Sequence, residues 1–269
     1  MTTTVPAPRS SLVPPSTTRF DRLVRSEAIK MFSLRSTGVT LLALIAVTVG
    51  ISILACWGTM QAPADQLTDI DPVSLTLSGL AFGQLAIAVL GAMTIASEYS
   101  TGGIRSTLTA VPGRLHLLGA KAVVFLVVSF VVGAVTCVIA FVVGNLFLHE
   151  QYRSGFGDPH VLRALFGGAL YVAGSGMYGF ALGALIRQTA GAITAAVALL
   201  FVLPPLSNLL PGDWGDTITR HFTSNAGQQV MSTIPPGDNL GVWDGFFWFT
   251  LEWVVILAAA AVLMRKRDA

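Results

Sequence analysis

The sequence predicts an all-α integral membrane fold: six transmembrane helices, with an amphipathic helix lying along the membrane surface ahead of the first. Three observations predict it. Apolar stretches at 39–57, 75–96, 122–148, 161–186, 191–210 and 246–264 each approach or exceed the ~20 residues a helix needs to cross a bilayer. Positive charge is concentrated in alternate connecting segments: Arg9, Arg19, Arg22, Arg25, Lys30, Arg35, Arg105, Arg114, Lys121, Arg187, Arg265, Lys266 and Arg267 fall on one side, and Arg153, Arg163 and Arg220 on the other. Trp57, Trp214, Trp243, Trp248 and Trp253 lie in or near the span ends of that second side, where indole rings favour the headgroup region. By the positive-inside rule the basic side is cytoplasmic, so both termini are expected in the cytoplasm and the chain in the cell membrane.

Taken in order, residues 1–18 (MTTTVPAPRSSLVPPSTT) are too polar and Pro-rich for a secretory signal and read as a disordered cytoplasmic tail. Over 19–38, Phe20, Leu23, Val24, Met31 and Leu34 fall near one helical face with Arg22, Arg25 and Lys30 elsewhere, the pattern of a helix lying among anionic headgroups. Glu27 intrudes on the apolar stripe. Residues 39–269 are expected to form the six-span domain. Its longest basic-side connection, 97–121, reads SEYSTGGIRSTLTAVPGRLHLLGAK: Glu98 ends the second span, Gly102 and Gly103 allow a tight turn, and IRSTLTAV suits a short helix that Pro112 and Gly113 terminate.

Further along, Ser175, Gly179 and Gly183 in the fourth span, like Gly79 and Gly83 and then Ala88, Ala92 and Ala96 in the second, repeat every fourth residue and favour close helix packing. Pro204 and Pro205 are expected to end or bend the fifth span. The acid-rich outer segment 211–245 contains a possible short helix, DTITRHFTSNAGQQVMST, that would cap the helix ends or re-enter between them. Glu252 is the carboxylate within the sixth apolar stretch, about 9 Å below the span's start at 1.5 Å per residue. Such acids often mark ion or substrate paths, but Trp248 and Trp253 flank it at the outer interface, where a polar neighbour would satisfy it as a structural group.

Composition excludes several chemistries. With 53% hydrophobic and 11% charged residues and a net charge of +2, charge sets topology rather than attracting nucleic acid, and membrane lipid is the expected surrounding. Cys56 and Cys137 have no disulfide or metal-ligand spacing and read as packing residues; no metal site is expected. GRLHLLGAK from Gly113 has the wrong glycine spacing for a phosphate loop, and GSGMYG satisfies the dinucleotide fingerprint only in letters, because it sits inside a span. An intramembrane enzyme would need clustered nucleophile, acid or metal-ligand groups, whereas His116, His149, His160 and His221 are dispersed. No catalytic residue is assigned. A secondary carrier built from an inverted three-plus-three repeat remains the alternative, without internal sequence similarity to support it.

The stretch Glu98–Leu108, E-Y-S-T-G-G-I-R-S-T-L, resembles the segment after the second span in type-2 ATP-binding-cassette (ABC) permeases, especially small six-span bacterial versions, and the resemblance in architecture extends over 19–269. It implies that 97–121 holds a coupling helix docked on a separate ATPase, with Glu98, Tyr99, Gly102, Gly103 and Arg105 as coupling residues. Glu98 would organise the inner helix ends, the glycines would permit the turn, and Arg105 would face the ATPase. It further implies two permease copies with two ATPase copies, ATP and Mg being held by the ATPase and no cofactor by this chain. The second and fifth spans of both copies would line the path, with Phe82, Gln84, Leu85, Ala88, Thr194, Val197, Phe201 and Asn208 as candidate lining positions. The expected activity is export of a hydrophobic or amphipathic substrate.

Overall fold

The computed structural model describes residues 20–61, 70–100, 114–234 and 240–266, all helical or irregular with no strand among them. The amphipathic stretch forms α1 (Phe20–Ser33), whose buried face is Leu23, Glu27 and Met31, one residue per turn. Leu34 breaks the helix, and α2 (Arg35–Gln61) carries the first span.

The second span begins later than its apolar pattern suggests. Asp71 caps a five-residue helix, α3 (Pro72–Thr76), with Pro72 in its first turn. The chain then turns at 77–79 before α4 (Leu80–Ser100). The turn is where the chain packs backbone-to-backbone on α2: a Cβ at Gly79 would strike the Thr48 carbonyl, and the Gly79 N–H donates to Ser52 Oγ at 3.2 Å. Polar Ser78 and Gly79 also have weak helix propensity, which lets tertiary contact decide the break.

The third span, α5 (Arg114–Leu146), is 33 residues long. At 1.5 Å per residue it extends about 50 Å, beyond a ~30 Å hydrocarbon core, so its first turns project past the apolar layer on the α1 side. The fourth, α6 (Val161–Ile186), matches the expected limits and is the central helix: 83% of its most apolar stretch is buried, against 11% for the sixth span. Its small residues meet those of α4, as their four-residue repeat predicts. The Ala88 carbonyl abuts Gly179, the Gly176 carbonyl abuts Gly91, and a Cβ at Gly183 would lie 2.7 Å from the Ala92 carbonyl. Phe125 and Phe180, 6.0 Å apart, and Tyr171 and Phe249, 5.3 Å apart, pack α5 and the last helix against α6. Arg187, at φ 60°, ends α6 and donates its N–H to the Gly183 carbonyl at 3.0 Å.

The fifth span runs through its prolines instead of stopping at them. Its α7 (Thr189–Val197) widens into a π-helical turn at Ala198–Val202 and continues as α8 (Leu203–Ser207). Pro204 has no N–H to give the Leu200 carbonyl four residues earlier. That carbonyl instead accepts from Ser224 Oγ at 2.9 Å and Gln84 Nε2 at 3.3 Å, so the helix persists with its lost bond replaced.

Beyond it, α9 (Gly212–His221) and α10 (Thr223–Gln228) precede the last span, α11 (Val242–Lys266). Thr223, Ser224, Ala226 and Gly227 of α10 are buried, and Gly227 lies against Tyr171 and Phe249, so this segment folds back into the bundle.

Asp71 fastens the segment that follows. Its carboxylate accepts from the Thr233 N–H and hydroxyl, both at 2.6 Å, and from Ser232 Oγ at 3.2 Å, besides the Val73 and Ser74 N–H groups of its own helix. Burial pushes its pKa up, but the hydrogen bonds from Thr233 and Ser74 outweigh that and hold it below the usual carboxylate value. Its contribution to stability is therefore complete above the unfolded-state value of 3.8 and is lost as pH falls through the lower folded value. Asp71→Asn is expected to cost about 1–2 kcal/mol near neutrality, because an amide nitrogen now faces donors. Thermal melts between pH 7 and pH 3 should show the variant losing less on acidification than the parent; parallel curves would refute the assignment.

Candidate functional site

The ends of the proposed coupling segment meet in a cluster of four charges, of which Glu27, Glu98 and Lys121 are buried and Lys30 is exposed. Glu98 lies in the last turn of α4, and Lys121 lies two turns into α5. Lys121 Nζ, its side chain 2% exposed, is 2.5 Å from Glu27 Oε2 on α1 and 2.9 Å from Glu98 Oε1. Lys30 Nζ, also on α1, pairs with the same Glu98 oxygen. The signs alternate along Glu27, Lys121, Glu98 and Lys30, and the cluster is neutral. Burying Glu27, Lys121 and Glu98 costs desolvation energy that their mutual pairing offsets. Burial, followed by the Lys121 charge, lowers the Lys30 pKa, with Glu27 opposing.

α1 is thus tied to α4 and α5 by ion pairs as well as by its apolar face. The intrusion of Glu27 into that face has its physical reason here: the acid points at Lys121. The family resemblance implies an organising position for Glu98, but its partners Lys121 and Lys30, and Glu27 beyond Lys121, enter only with the tertiary structure. A signal existed, since Leu23, Glu27 and Met31 share one face, and an acid on a buried stripe requires a cation. Which lysine answers it is a matter of tertiary geometry.

Tyr99, next along α4, lies under the Arg187 guanidinium at 5.0 Å from its ring centroid, joining the ends of α4 and α6. Gly102, Gly103 and Arg105, with Pro112 and Gly113, lie outside the described residues.

The candidate lining positions separate into two groups. Phe82 and Thr194 are exposed, Leu85, Val197 and Phe201 are half-buried, and Asn208 is exposed near the end of the fifth span. Phe82 and Phe201 touch, their ring centroids 5.3 Å apart, forming an apolar edge between α4 and the π-helical turn. Gln84 and Ala88 instead turn into the protomer and are buried, Ala88 against Gly179. Gln84 Oε1 accepts from Tyr171 at 2.5 Å, and Gln228 Nε2 donates to the same Tyr171 oxygen at 3.3 Å. This network serves the Pro204 interruption. The sequence shows the prolines but not the donors that answer them.

Glu252 also has protein partners. Oε2 accepts from the Tyr178 hydroxyl at 3.2 Å, and Oε1 accepts from the Thr223 N–H at 3.3 Å, at the start of α10. It borders a groove of about 580 Å³ beside Trp248, His221 and Val255. Glu252→Gln keeps an acceptor and is expected to fold; unchanged transport of cationic substrates would leave Glu252 a structural group only.

Six long apolar helices, α6 the most buried of them, with α1 ion-paired to α4 and α5 and α10 packed against Tyr171 and Phe249, are consistent with a multi-span membrane protein. The family model described as ABC-2 family transporter protein matches residues 23–204. The chain belongs to that family and is an ABC transporter permease. Such permease domains typically lack a nucleotide-binding site, and membership implies association with an ABC ATPase. The matched region takes in α1 from Leu23 onward, the charged cluster and the first five spans as far as Pro204. No curated protein matches the chain.

Proposed function

We propose that the chain is the transmembrane subunit of a bacterial ABC exporter, paired with a second permease copy or homologue and driven by two copies of an ATPase that holds ATP and Mg. The carrying observation is the ion-paired junction: the helices that enter and leave 101–113 are joined by Lys121–Glu98 and, through Glu27 and Lys30, to α1. A push delivered at that segment by the ATPase moves α1, α4 and α5 as one body, which is what rigid-body switching requires. The positive-inside distribution supports cytoplasmic termini and an ATPase on that side. ATP binding draws the ATPases together, and the permeases pass from inward-facing to outward-facing.

Export is favoured because the resemblance carried by Glu98–Leu108 is to exporter permeases. The apolar Phe82–Phe201 edge supports a hydrophobic or amphipathic cargo. The sparsely buried fifth and sixth spans supply apolar surface for the second copy or for lipid.

Purification of the tagged chain from its native membrane in mild detergent is expected to bring a stoichiometric ATPase subunit with it. A lone, ATP-indifferent chain at native abundance would overturn this reading and favour a carrier. Within the complex, Arg105→Glu or Gly102→Trp is expected to lower transport-linked ATPase activity by about tenfold, the size of an ordinary coupling free energy, without preventing membrane insertion. Parental coupling in both variants would remove the coupling assignment.

A further inference from the structure

The groove of about 580 Å³ beside Glu252 is walled by one stripe of α11 and by the end of α9. Trp248, Leu251, Glu252, Val255 and Ile256 recur at the three- and four-residue spacings that share a helix face. Ile218 and Phe222 add apolar surface from the α9 side. The volume is within the range of small-molecule sites. Trp248, Val255 and Ile218 are exposed, so the groove is open to an occupant. Among the described residues, none of its wall comes from α4 or the fifth span, which carry the candidate path positions.

The acid on this wall has no counter-charge. Glu252 is half-buried, and both groups that donate to it, the Tyr178 hydroxyl and the Thr223 N–H, are neutral. Among the described residues it makes no ion pair, and no lysine or arginine lines the groove. His221 directs Nδ1 to the Thr217 carbonyl, 2.8 Å away, and sets its ring edge-to-face on Trp248. A carboxylate accepts about four hydrogen bonds, so two donors leave Glu252 further capacity. Taking such a group out of water is costly unless an opposite charge answers it. The rest of the wall decides which cation fits. A metal ion needs several oxygen ligands or retained waters, whereas this groove offers mainly hydrocarbon and aromatic rings. An organic cation is attracted by the carboxylate and by the indole face, and its apolar body matches the remaining wall.

We propose that this groove binds a lipophilic organic cation, its charged centre set against Glu252 and Trp248 and its apolar body along Leu251, Val255 and Ile218. A neutral molecule of the same shape gains the apolar contact alone, and an anion is repelled by Glu252. The site lies within one protomer, apart from the Phe82–Phe201 edge, and does not rest on the transport reading.

The test is equilibrium dialysis of tritiated tetraphenylphosphonium against the purified full chain in an uncharged detergent, with the uptake of protein-free micelles subtracted. Saturable binding is expected. Neutral triphenylphosphine oxide, which keeps phenyl rings without the charge, should need about tenfold the concentration of unlabelled tetraphenylphosphonium to displace half of it. Glu252→Gln should weaken binding about tenfold while the chain still melts cooperatively. Val255→Trp and Ile218→Trp each fill the groove without touching a charge and should abolish saturable binding. Both positions are exposed, so both variants are expected to fold. Absence of saturable binding to the parent chain, equal displacement by the neutral compound, or undiminished binding by any of the three variants in folded form would overturn the proposal.

Discussion

Lys121→Met is expected to destabilise the protein by about 3–5 kcal/mol, the cost of removing one partner from a buried ion pair. The lysine side chain is 2% exposed and touches both Glu27 and Glu98. Methionine fills a similar volume but leaves two carboxylates facing each other, with Lys30 the remaining cation of the cluster. Thermal unfolding of the purified full-length chain, followed by size-exclusion fluorescence, should show a large drop in midpoint or loss of the monodisperse peak. The double variant Glu27→Gln with Lys121→Met should recover part of the loss, since one buried charge is removed with its partner. If Lys121→Met melts with the parent, the cluster is not what holds α1 to α5.

The second large effect is expected at the α4–α6 contact. Gly179→Ala places a Cβ inside van der Waals contact with the Ala88 carbonyl and its carbon, which are backbone atoms of a neighbouring helix and cannot rotate away. The helices must separate along the most buried surface of the fold. A cost of about 3 kcal/mol or more is expected, at the upper end for overpacking. Gly50→Ala in α2 is the matched control: nothing lies within 4 Å of the added carbon. There the substitution should leave the midpoint unchanged or raise it by up to about 1 kcal/mol equivalent, through helix propensity. Equal melting of the two variants would show that the close approach at Gly179 carries little of the stability.

The contrast between these glycines shows how much of the fold was legible in the sequence. The every-fourth-residue repeat through Gly179 and Gly183 announced close packing, because an α-helix places such residues on one stripe. It also matched the stripe through Ala88 and Ala92, which meets it. Gly50 looks no different from Gly79 as a letter, yet one faces open space and the other abuts the α2 backbone. The candidate lining residues divide for the same reason. In a uniformly apolar span, periodicity does not distinguish the face turned to a cavity from the face turned to α6, so Phe82 lies outside and Gln84 lies inside.

What the sequence determined by itself is the number of spans, the asymmetry of positive charge, the family likeness between Glu98 and Leu108, and the want of a Walker motif in the chain. These follow from local composition, since hydrocarbon thickness sets span length and positive loops set sidedness. Tertiary structure alone decided the pairing of Glu27, Lys121, Glu98 and Lys30, the rescue of the Leu200 carbonyl by Gln84 and Ser224, and the clasp of Asp71 on Thr233. Each joins groups far apart in the chain. A buried polar atom must find a partner, but which partner is fixed by where the helices pack and not by the residues beside it.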